Sequence, residues 1–441
     1  MKEREILDQY SALKRNQRIL STTATSQRNA MLLAIASKLE TSFDKIKVAN
    51  DNDIKEAKKE KIADALIKRL VLDQQKLAGV CQGIKDVAKL ADPIGAVKER
   101  RLLDDNLLLE RIAVPIGVIG MIFESRPDAL VQILSLALKS GNAIILKGGR
   151  EALNTNRLLV ELIKEALSTF EAGSDWIVHL EKREDVKTLL ELDSIVDLLI
   201  PRGSNEFVRY VMNNTKIPVL GHADGLCAMY IDKDADLDLA VKVATDAKCQ
   251  YPAVCNAVET LLVDSSIAQQ FLIKYELALK PYNVKINGDE RTQKYIECNL
   301  ATEEDFMSEY LDYEIAIKVV DSLEEAIEHI AYYGSGHTDA IITKNESRAR
   351  RFLLEVDSAD VFWNCSTRFA DGFRFGLGAE VGISTQKIHA RGPVGLDGLV
   401  TDKWVLKGDG QIVDSYERGT SHYKHETLPL TGESILGGSQ Q

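Results

Sequence analysis

The chain lacks the features that mark a secreted, membrane-spanning or disulfide-bonded protein. Its six cysteines contain no CxxC pair, which indicates neither a disulfide framework nor a zinc site. Its longest apolar-rich run, AVPIGVIGMIF at 113–123, is too short to span a bilayer. The first residues, MKEREILDQY, have no apolar core of the signal-peptide type. We therefore expect a cytoplasmic protein with free thiols and no membrane partner.

The chain also has no excess of positive charge. Its formal net charge is −12, from 55 Lys and Arg against 67 Asp and Glu. Nucleic-acid affinity depends largely on Lys and Arg that neutralise phosphates, so we expect no nucleic-acid partner. A local basic pocket for a phosphorylated ligand is still compatible with this balance. At 441 residues and 45% apolar composition, the chain is long enough for two or three globular domains.

Strands alternate with helices through most of the chain. The first hundred residues look helical, and from about 113 onward short apolar strands are followed by helices. In the helix PDALVQILSLALKS, five apolar residues follow the helical spacing: Leu130, Ile133, Leu134, Ala137 and Leu138. Such alternation predicts an α/β fold with mostly parallel sheets, whose ligands bind at the carboxyl ends of the strands.

Two α/β domains are predicted from this alternation, over 1–236 and 237–390. The strand LCAMYID at 226–232 is assigned to the first domain. The stretch 391–412 contains GLDGLVTDKWVLKG, which we interpret as a late hairpin, and the polar tail 413–441 is expected to be loosely ordered.

Three strand ends carry loops that suit a ligand. In KGGRE (147–151) the glycines allow close backbone approach and the next helix start favours an anion, although a plain strand-to-helix turn explains the pattern equally well. In PRGSNE (201–206), Ser204 is either a helix cap or part of a phosphate loop. In FESRP (123–127), Arg126 is either an anion-binding side chain or a surface residue.

Cys255 lies in QYPAVCNAVETLLV, residues 250–263, in a loop between a helix and a strand. Most cysteines are small buried fillers. This loop stands where the two predicted domains meet, which favours a nucleophile that faces an interdomain cleft. No histidine lies near Cys255 in the sequence to form an obvious Cys–His pair, so a papain-like hydrolase is not supported. His337 and His389 stay unassigned, because a lone histidine is more often structural.

Around CQYPAVCNAVETLLV the chain resembles the aldehyde dehydrogenase superfamily at its nucleophilic cysteine. It is most similar to the branch whose members reduce γ-glutamyl phosphate in proline biosynthesis. The resemblance runs from about residue 10 to 412 and includes PIGVIGMIFESRPDA, LKSGNAIILKGGREA, IPRGSNEFV and GAEVGISTQKIHARGPVGLDGLVT. It implies two Rossmann-like α/β domains, one for the cofactor and one for catalysis. It also implies a small β oligomerisation arm, built from segments near 98–113 and 395–410.

The resemblance implies an oxidoreductase that uses NADPH to convert L-glutamyl 5-phosphate into L-glutamate 5-semialdehyde and phosphate. Cys255 would carry the thioester, and its backbone N–H would donate to the oxyanion. Two alternatives are an NAD(P)-dependent oxidation of a small semialdehyde and a catalytically inactive binding protein of the same fold. A homo-oligomer is implied, and a contact with a separate glutamate 5-kinase is a further expectation, since the chain begins at the reductase.

The resemblance also assigns residues. For the cofactor they are Lys147, Gly148, Gly149, Arg150, Gly203 and Ser204. Arg150 replaces an acidic residue of NAD-preferring members, which favours the 2′-phosphate of NADP(H). For the substrate and oxyanion we expect Ser125, Arg126, Asn256, Asn364 and Ser366, and no metal ligands.

Two departures from the superfamily pattern concern the catalytic loop. The general-base glutamate falls in GHADG near His222, where this chain has no glutamate. Its loss suits a reductase whose thioester must avoid water. Ala228 stands where reductases of this type commonly have a histidine after GLC.

Overall fold

A computed structural model describes residues 3–62, 64–124, 126–182, 184–222, 224–431 and 434–436. Within these residues no helix combines the length and the apolar character that crossing a membrane requires.

The described helices, numbered along the chain, are α1 (Glu3–Thr22), α2 (Thr25–Thr41), α3 (Phe43–Lys59), α4 (Asp64–Leu70), α5 (Gln74–Lys89), α6 (Pro127–Lys139), α7 (Leu153–Leu167), α8 (Asp185–Leu190), α9 (Asn205–Asn213), α10 (Leu237–Cys249), α11 (Ala268–Leu279), α12 (Leu323–Tyr333), α13 (Glu346–Glu355) and α14 (Val413–Glu417).

The described strands are β1 (Val97–Asp104), β2 (Leu107–Pro115), β3 (Val118–Phe123), β4 (Ala143–Gly148), β5 (Ile177–Leu180), β6 (Leu198–Arg202), β7 (Cys227–Ile231), β8 (Val258–Asp264), β9 (Lys285–Gly288), β10 (Asn299–Leu300), β11 (Glu314–Val320), β12 (Thr338–Ile342), β13 (Asp360–Trp363), β14 (Gly382–Ser384), β15 (Gly392–Val394), β16 (Val400–Lys407) and β17 (Glu426–Thr427).

The chain divides into two compact units. The first comprises Met1–Gly203, Tyr210–Val219 and Gly395–Gln441, and the second comprises Ser204–Arg209 and Leu220–Val394. The α/β class expected from the sequence is confirmed, since both units contain a parallel sheet flanked by helices.

The first unit contains the parallel sheet β5-β4-β3-β6. Strands β3 and β4 are buried along their whole length, as expected for a sheet covered on both faces. The five apolar residues predicted to share one face of α6 are all buried. Burying each of the four leucine and isoleucine side chains among them stabilises the fold by about 1.5–3 kcal/mol, which favours formation of this helix against the sheet.

A second, antiparallel sheet of this unit has the order β16-β2-β1-β17. Within it the segments near 98–113 and 395–410 lie side by side, since β16 runs along β2 from Val400↔Pro115 to Lys407↔Leu108. The hairpin predicted within 391–412 is not present. Residues 396–399 form a 3-10 turn, and 400–407 form one strand whose partner is about 290 residues earlier in the chain.

The polar tail also differs from the prediction of loose order. Its described part packs on the antiparallel sheet: β17 pairs with β1, and the Leu428 N–H donates to the Arg100 carbonyl at 2.9 Å. The Tyr416 hydroxyl donates to Asp104 at 3.0 Å. These partners are remote in sequence, so composition alone did not indicate them.

The second unit is built on a seven-stranded sheet of order β10-β9-β11-β8-β7-β12-β13, with parallel pairing throughout. Side chains of β7 alternate between its two faces: Met229 and Ile231 belong to the core cluster that contains Phe271, whereas Tyr230 belongs to the one that contains Phe352. Strand β7 thus belongs to this sheet and not to the first domain, where it was predicted. The observed unit accordingly begins at Leu220 rather than at 237.

Candidate active site

Three chemically reactive residues precede three neighbouring strands of the second unit. His222 comes before β7, Cys255 before β8 and His337 directly before β12. These strands are parallel and adjacent, in the order β8-β7-β12, so their amino ends meet at one edge of the sheet. The site therefore forms at the amino edge, whereas the sequence led us to expect ligands at carboxyl ends.

The three side chains converge. A ring nitrogen of His222, a ring nitrogen of His337 and the Sγ of Cys255 all lie within 4.8 Å of one another. Cys255 is half-buried. The interpretation from the sequence that no histidine accompanies this cysteine was therefore incomplete, because both partners are remote along the chain. An imidazole at this range is a natural proton acceptor for a thiol.

The ring of His222 is oriented by the backbone. Its Nδ1 lies 3.0 Å from the carbonyl oxygen of Ile383, an acceptor, so Nδ1 carries the proton. In the neutral ring the lone pair is then on Nε2. The GHADG loop thus lacks the expected glutamate but places a different base beside Cys255.

His337 is fully buried, and its Nδ1 lies 2.7 Å from the Thr338 hydroxyl. Burial, reinforced by the neighbouring His222, holds the pKa of His337 well below its usual range. This ring is therefore neutral near pH 7. Its Nε2 has no hydrogen-bond partner among the described residues, which is unusual for a buried polar atom.

Gly225 explains how the GHADG loop comes so close to Cys255. A Cβ at this position would lie 2.1 Å from the Cys255 carbonyl oxygen and 2.6 Å from its Cα. The Gly225 N–H donates to Glu309 at 3.0 Å, which fixes the loop. Only glycine fits this contact, and His222 is carried into place by the same loop.

The backbone of Cys255 is held by a hydrogen bond from β7. The thiol of Cys227 donates to the Cys255 carbonyl oxygen, with the sulfur at 3.2 Å, and burial raises the pKa of Cys227 well above its usual range. Next to it, the Ala228 N–H donates to Asp339 at 2.7 Å, and Asp339 also accepts from Ser358. Burial raises the pKa of Asp339 to about 6.

Three predicted substrate residues lie in this unit and have structural partners. Asn256 is buried, and its Nδ2 donates to the Ala370 carbonyl at 2.7 Å, while its Oδ1 has no partner among the described residues. Both ends of the Asn364 amide bond the backbone of Thr343. The hydroxyl of Ser366 accepts from the N–H of Arg368 at 3.3 Å. Of the three, only Asn256 presents an unused buried atom.

The cofactor residues expected in KGGR lie at the end of β4 in the first unit. Lys147 is buried, its Nζ donates to the Gly148 carbonyl at 2.5 Å, and burial lowers its pKa. A Cβ on Gly148 would lie 2.3 Å from Asn156 Nδ2, so glycine is required there for packing. Gly149 precedes the short 3-10 turn that leads into α7.

Arg150 contrasts with Lys147 because its side chain is 79% exposed. Its guanidinium pairs with Glu60 at 2.6 Å. An exposed pair of this kind contributes little to stability, so the guanidinium can exchange its partner for a phosphate at low cost.

The remaining predicted residues lie at helix starts. Arg126 is exposed and immediately precedes α6, with Pro127 in the first turn. Ser125 lies outside the described residues. Gly203 and Ser204 precede α9, and the Ser204 hydroxyl accepts from the Phe207 N–H at 3.4 Å, as a helix cap does.

Comparison with known proteins identifies similar chains. Residues 1–295 match the model of the aldehyde dehydrogenase family. A γ-glutamyl phosphate reductase of Acetivibrio thermocellus is 53% identical over 409 residues, 93% of this chain and 95% of that protein. One of Haloquadratum walsbyi is 54% identical, over 90% of this chain and 89% of that protein.

Solved structures agree. The crystal structure of γ-glutamyl phosphate reductase from Thermotoga maritima superposes with a TM-score of 0.90 at 40% identity, covering 92% of this chain and 99% of that one. An acetylating aldehyde dehydrogenase from Geobacillus thermoglucosidasius, at 16% identity and TM-score 0.62, covers 93% of this chain and 97% of that one and shares the fold.

Proposed function

Because the chain belongs to the aldehyde dehydrogenase family, and within it to the γ-glutamyl phosphate reductases, we propose that it reduces L-glutamyl 5-phosphate to L-glutamate 5-semialdehyde through a thioester on Cys255. The reaction consumes NADPH and one proton and releases NADP⁺ and phosphate. The observation that carries this proposal is the convergence of Cys255 with His222 and His337 at one edge of the second unit's sheet.

The proton balance of the first step follows from this geometry. His222 accepts the proton of the Cys255 thiol, and the thiolate attacks the carbonyl carbon of the acyl phosphate. The carbon–oxygen bond to phosphate breaks, and phosphate departs with the electron pair. The imidazolium of His222 returns the proton to that phosphate, so a neutral imidazole faces the thioester.

The thioester carbonyl acquires negative charge when it is attacked. The backbone N–H of Cys255 is the proposed donor to this oxyanion, and Asn256 supports the loop through its bond to Ala370. When bound, NADPH supplies the hydride that brings the thioester carbon to the aldehyde level, with release of the Cys255 thiolate.

The first unit is the proposed cofactor unit, and the residues at the end of β4 fit that role. Lys147 brings a buried ammonium to the strand end, and Arg150 has an exposed guanidinium close to the start of α7. We assign Arg150 to the 2′-phosphate of NADPH, with Gly148 and Gly149 giving close backbone approach. Gly203 and Ser204 form the second cofactor loop in this proposal.

Arg126, with Ser125 before it, is proposed to meet an anionic group of the substrate, since its guanidinium is exposed. The contacts of Asn364 and Ser366 support a different role from the one predicted. Asn364 bonds the backbone of Thr343 beyond β12, and Ser366 bonds the backbone of its own turn, so in this proposal they shape the substrate site rather than contact the substrate.

The antiparallel sheet of the first unit is the proposed oligomerisation arm. On β16, Trp404 and Leu406 are each 54% exposed, and apolar side chains of this size favour association with a second copy. None of the six cysteines, all of which lie in the described part of the chain, forms a disulfide, which favours a reducing compartment such as the cytoplasm. We also propose that a glutamate 5-kinase supplies the labile acyl phosphate.

The test is a steady-state assay with freshly generated glutamyl phosphate, in which oxidation of NADPH is compared with that of NADH. In the opposite direction, reduction of NADP⁺ by glutamate semialdehyde should require inorganic phosphate. Oxidation without phosphate would identify a semialdehyde dehydrogenase instead. Cys255→Ala should abolish turnover and retain NADPH binding, and an active variant would exclude the thioester mechanism.

A further inference from the structure

Arg368 is a buried cation that the prediction of the site did not include. It lies on the 3-10 turn Thr367–Phe369 that follows β13 and is 8% exposed. Its Nε donates to the side-chain oxygen of Gln250 at 3.0 Å. Among the described residues, no carboxylate oxygen lies within 4.0 Å of its guanidinium.

A buried guanidinium normally has a counter-ion, because removal of its charge from water is costly. Arg28, the other arginine buried to this degree in the described chain, is paired with Asp92. Arg368 has a neutral amide instead. Its burial lowers its pKa and the positive charge of Arg374 lowers it further, while Asp371 and Asp246, both beyond ion-pair distance, raise it. The charge of Arg368 is thus only partly compensated within the described chain.

The surroundings of Arg368 connect it to the nucleophile. Gln250, its partner, begins the loop that carries Cys255, and Asn256 on the same loop donates to the Ala370 carbonyl at 2.7 Å. These two hydrogen bonds attach the 366–370 segment to the Cys255 loop. A negative charge on Cys255 raises the pKa of Arg368, so the two side chains are close enough to interact electrostatically.

We propose that Arg368 binds an oxyanion group of the substrate whose carbonyl carbon reacts with Cys255. The planar fork of a guanidinium matches two oxygens of a phosphate or a carboxylate. This inference rests on the proposed function, because glutamyl phosphate carries both groups: the 5-phosphate, which leaves, and the α-carboxylate. A bound oxyanion provides the directly paired counter-charge that no carboxylate of the described chain supplies within 4.0 Å of Arg368.

The two candidate oxyanions, the 5-phosphate and the α-carboxylate, can be told apart in the oxidative direction. There, phosphate and glutamate semialdehyde are separate substrates. Arg368→Gln should raise the KM for one of them by about tenfold to a hundredfold, the loss expected for hydrogen bonds to a charged partner. Arg368→Lys should recover part of the affinity, since it keeps the charge and loses the fork. An increase for phosphate assigns the 5-phosphate, and one for the semialdehyde assigns the α-carboxylate; either supports the proposal.

A second measurement does not depend on turnover. In the wild type, inorganic phosphate or glutamate should slow alkylation of Cys255 by iodoacetamide, followed by peptide mass spectrometry, and Arg368→Gln should lose this protection. The matched control is Arg291→Gln, which removes an arginine paired with Asp321 in the same unit.

The proposal is overturned if Arg368→Gln folds, changes neither KM and retains the wild-type protection. If Arg368→Gln does not fold, Arg368→Lys must show the raised KM, and an unchanged KM in that variant overturns the proposal. A wild type that fails to reduce glutamyl phosphate refutes the proposed function instead, and the protection assay then still decides whether an oxyanion binds at Arg368.

Discussion

The ring of His222 meets the ring of His337 edge to face, with centroids 4.8 Å apart and planes at 80°. Both rings offer a nitrogen near the Sγ of Cys255, but their surroundings differ. His337 is fully buried and kept neutral, whereas His222 is half-buried and oriented by a backbone carbonyl. This asymmetry favours His222 as the proton acceptor in the proposed mechanism, with His337 as a neutral ring packed against it.

His222→Gln should therefore lower kcat by about a hundredfold or more, the usual contribution of a positioned acid–base group. Alkylation of Cys255 at neutral pH should also be slower in the variant than in the wild type, because the base that accepts the thiol proton is lost. Stopped-flow turnover and alkylation rates measure the two effects. The control is His389→Gln, an exposed histidine outside the cluster, which should retain wild-type rates. A His222→Gln enzyme within threefold of wild type would refute the assignment.

Gly225→Ala should be as damaging as a change to the catalytic residues. The new methyl group would meet the backbone of Cys255 at 2.1–2.6 Å, so the GHADG loop must move away. Displacement of a reacting group by about 1 Å costs roughly a hundredfold in rate, and we expect kcat/KM to fall at least that far. NADPH affinity, measured by fluorescence titration, should stay near wild type.

The matched control for this change is Gly79→Ala in α5, where a Cβ would meet no atom within 4 Å. Alanine favours the helix there by about 0.5–1 kcal/mol, so this variant should be active and slightly more stable. Equal activity of the two alanine variants would show that the close approach of Gly225 is dispensable.

Arg150→Ala should raise the KM for NADPH by about tenfold to a hundredfold, because a charge-assisted bond to the 2′-phosphate is lost. The KM for NADH should hardly change, since NADH has no phosphate at that position. Steady-state kinetics with both cofactors measure the ratio of kcat/KM for NADPH to kcat/KM for NADH. Glu60→Gln removes the carboxylate partner of Arg150 and should leave the preference for NADPH intact or strengthen it. If Arg150→Ala keeps the wild-type preference for NADPH over NADH, a residue other than Arg150 determines the cofactor specificity.

Asp339 should make stability depend on pH. Burial raises its pKa to about 6 from 3.8, so the folded protein binds this proton more tightly than the unfolded chain does. The corresponding stabilisation is fully present below pH 3.8 and is lost as pH rises through about 6. At 1.36 kcal/mol per pKa unit, the loss reaches at most about 3 kcal/mol.

Asp339→Asn removes this titration and can still accept from the Ala228 N–H. Urea unfolding from pH 4 to pH 8 should therefore show the wild type losing stability relative to the variant as pH rises. Asp409→Asn, at an exposed position, should run parallel to wild type. A constant difference between Asp339→Asn and wild type across this range would contradict the raised pKa.

Much of the local structure could be predicted from the sequence. The apolar spacing in α6 and the alternation of strands and helices depend on neighbours three or four residues apart, and the predicted faces are buried. The pattern could not tell which sheet a strand joins. Strand β7 reads as one more apolar strand, and only its pairing with β8 and β12 places it in the second unit.

The sequence by itself determined the α/β class and the family, and it singled out Cys255 as the proposed nucleophile, because each is written in contiguous residues such as CQYPAVCNAVETLLV. Tertiary structure alone decided which side chains join Cys255. His222 and His337 come from loops far apart in the chain and meet because β8, β7 and β12 are adjacent and parallel. Arg368 likewise becomes a candidate only through its burial beside a neutral partner. Burial and counter-charge belong to the folded chain, so no local pattern reveals them.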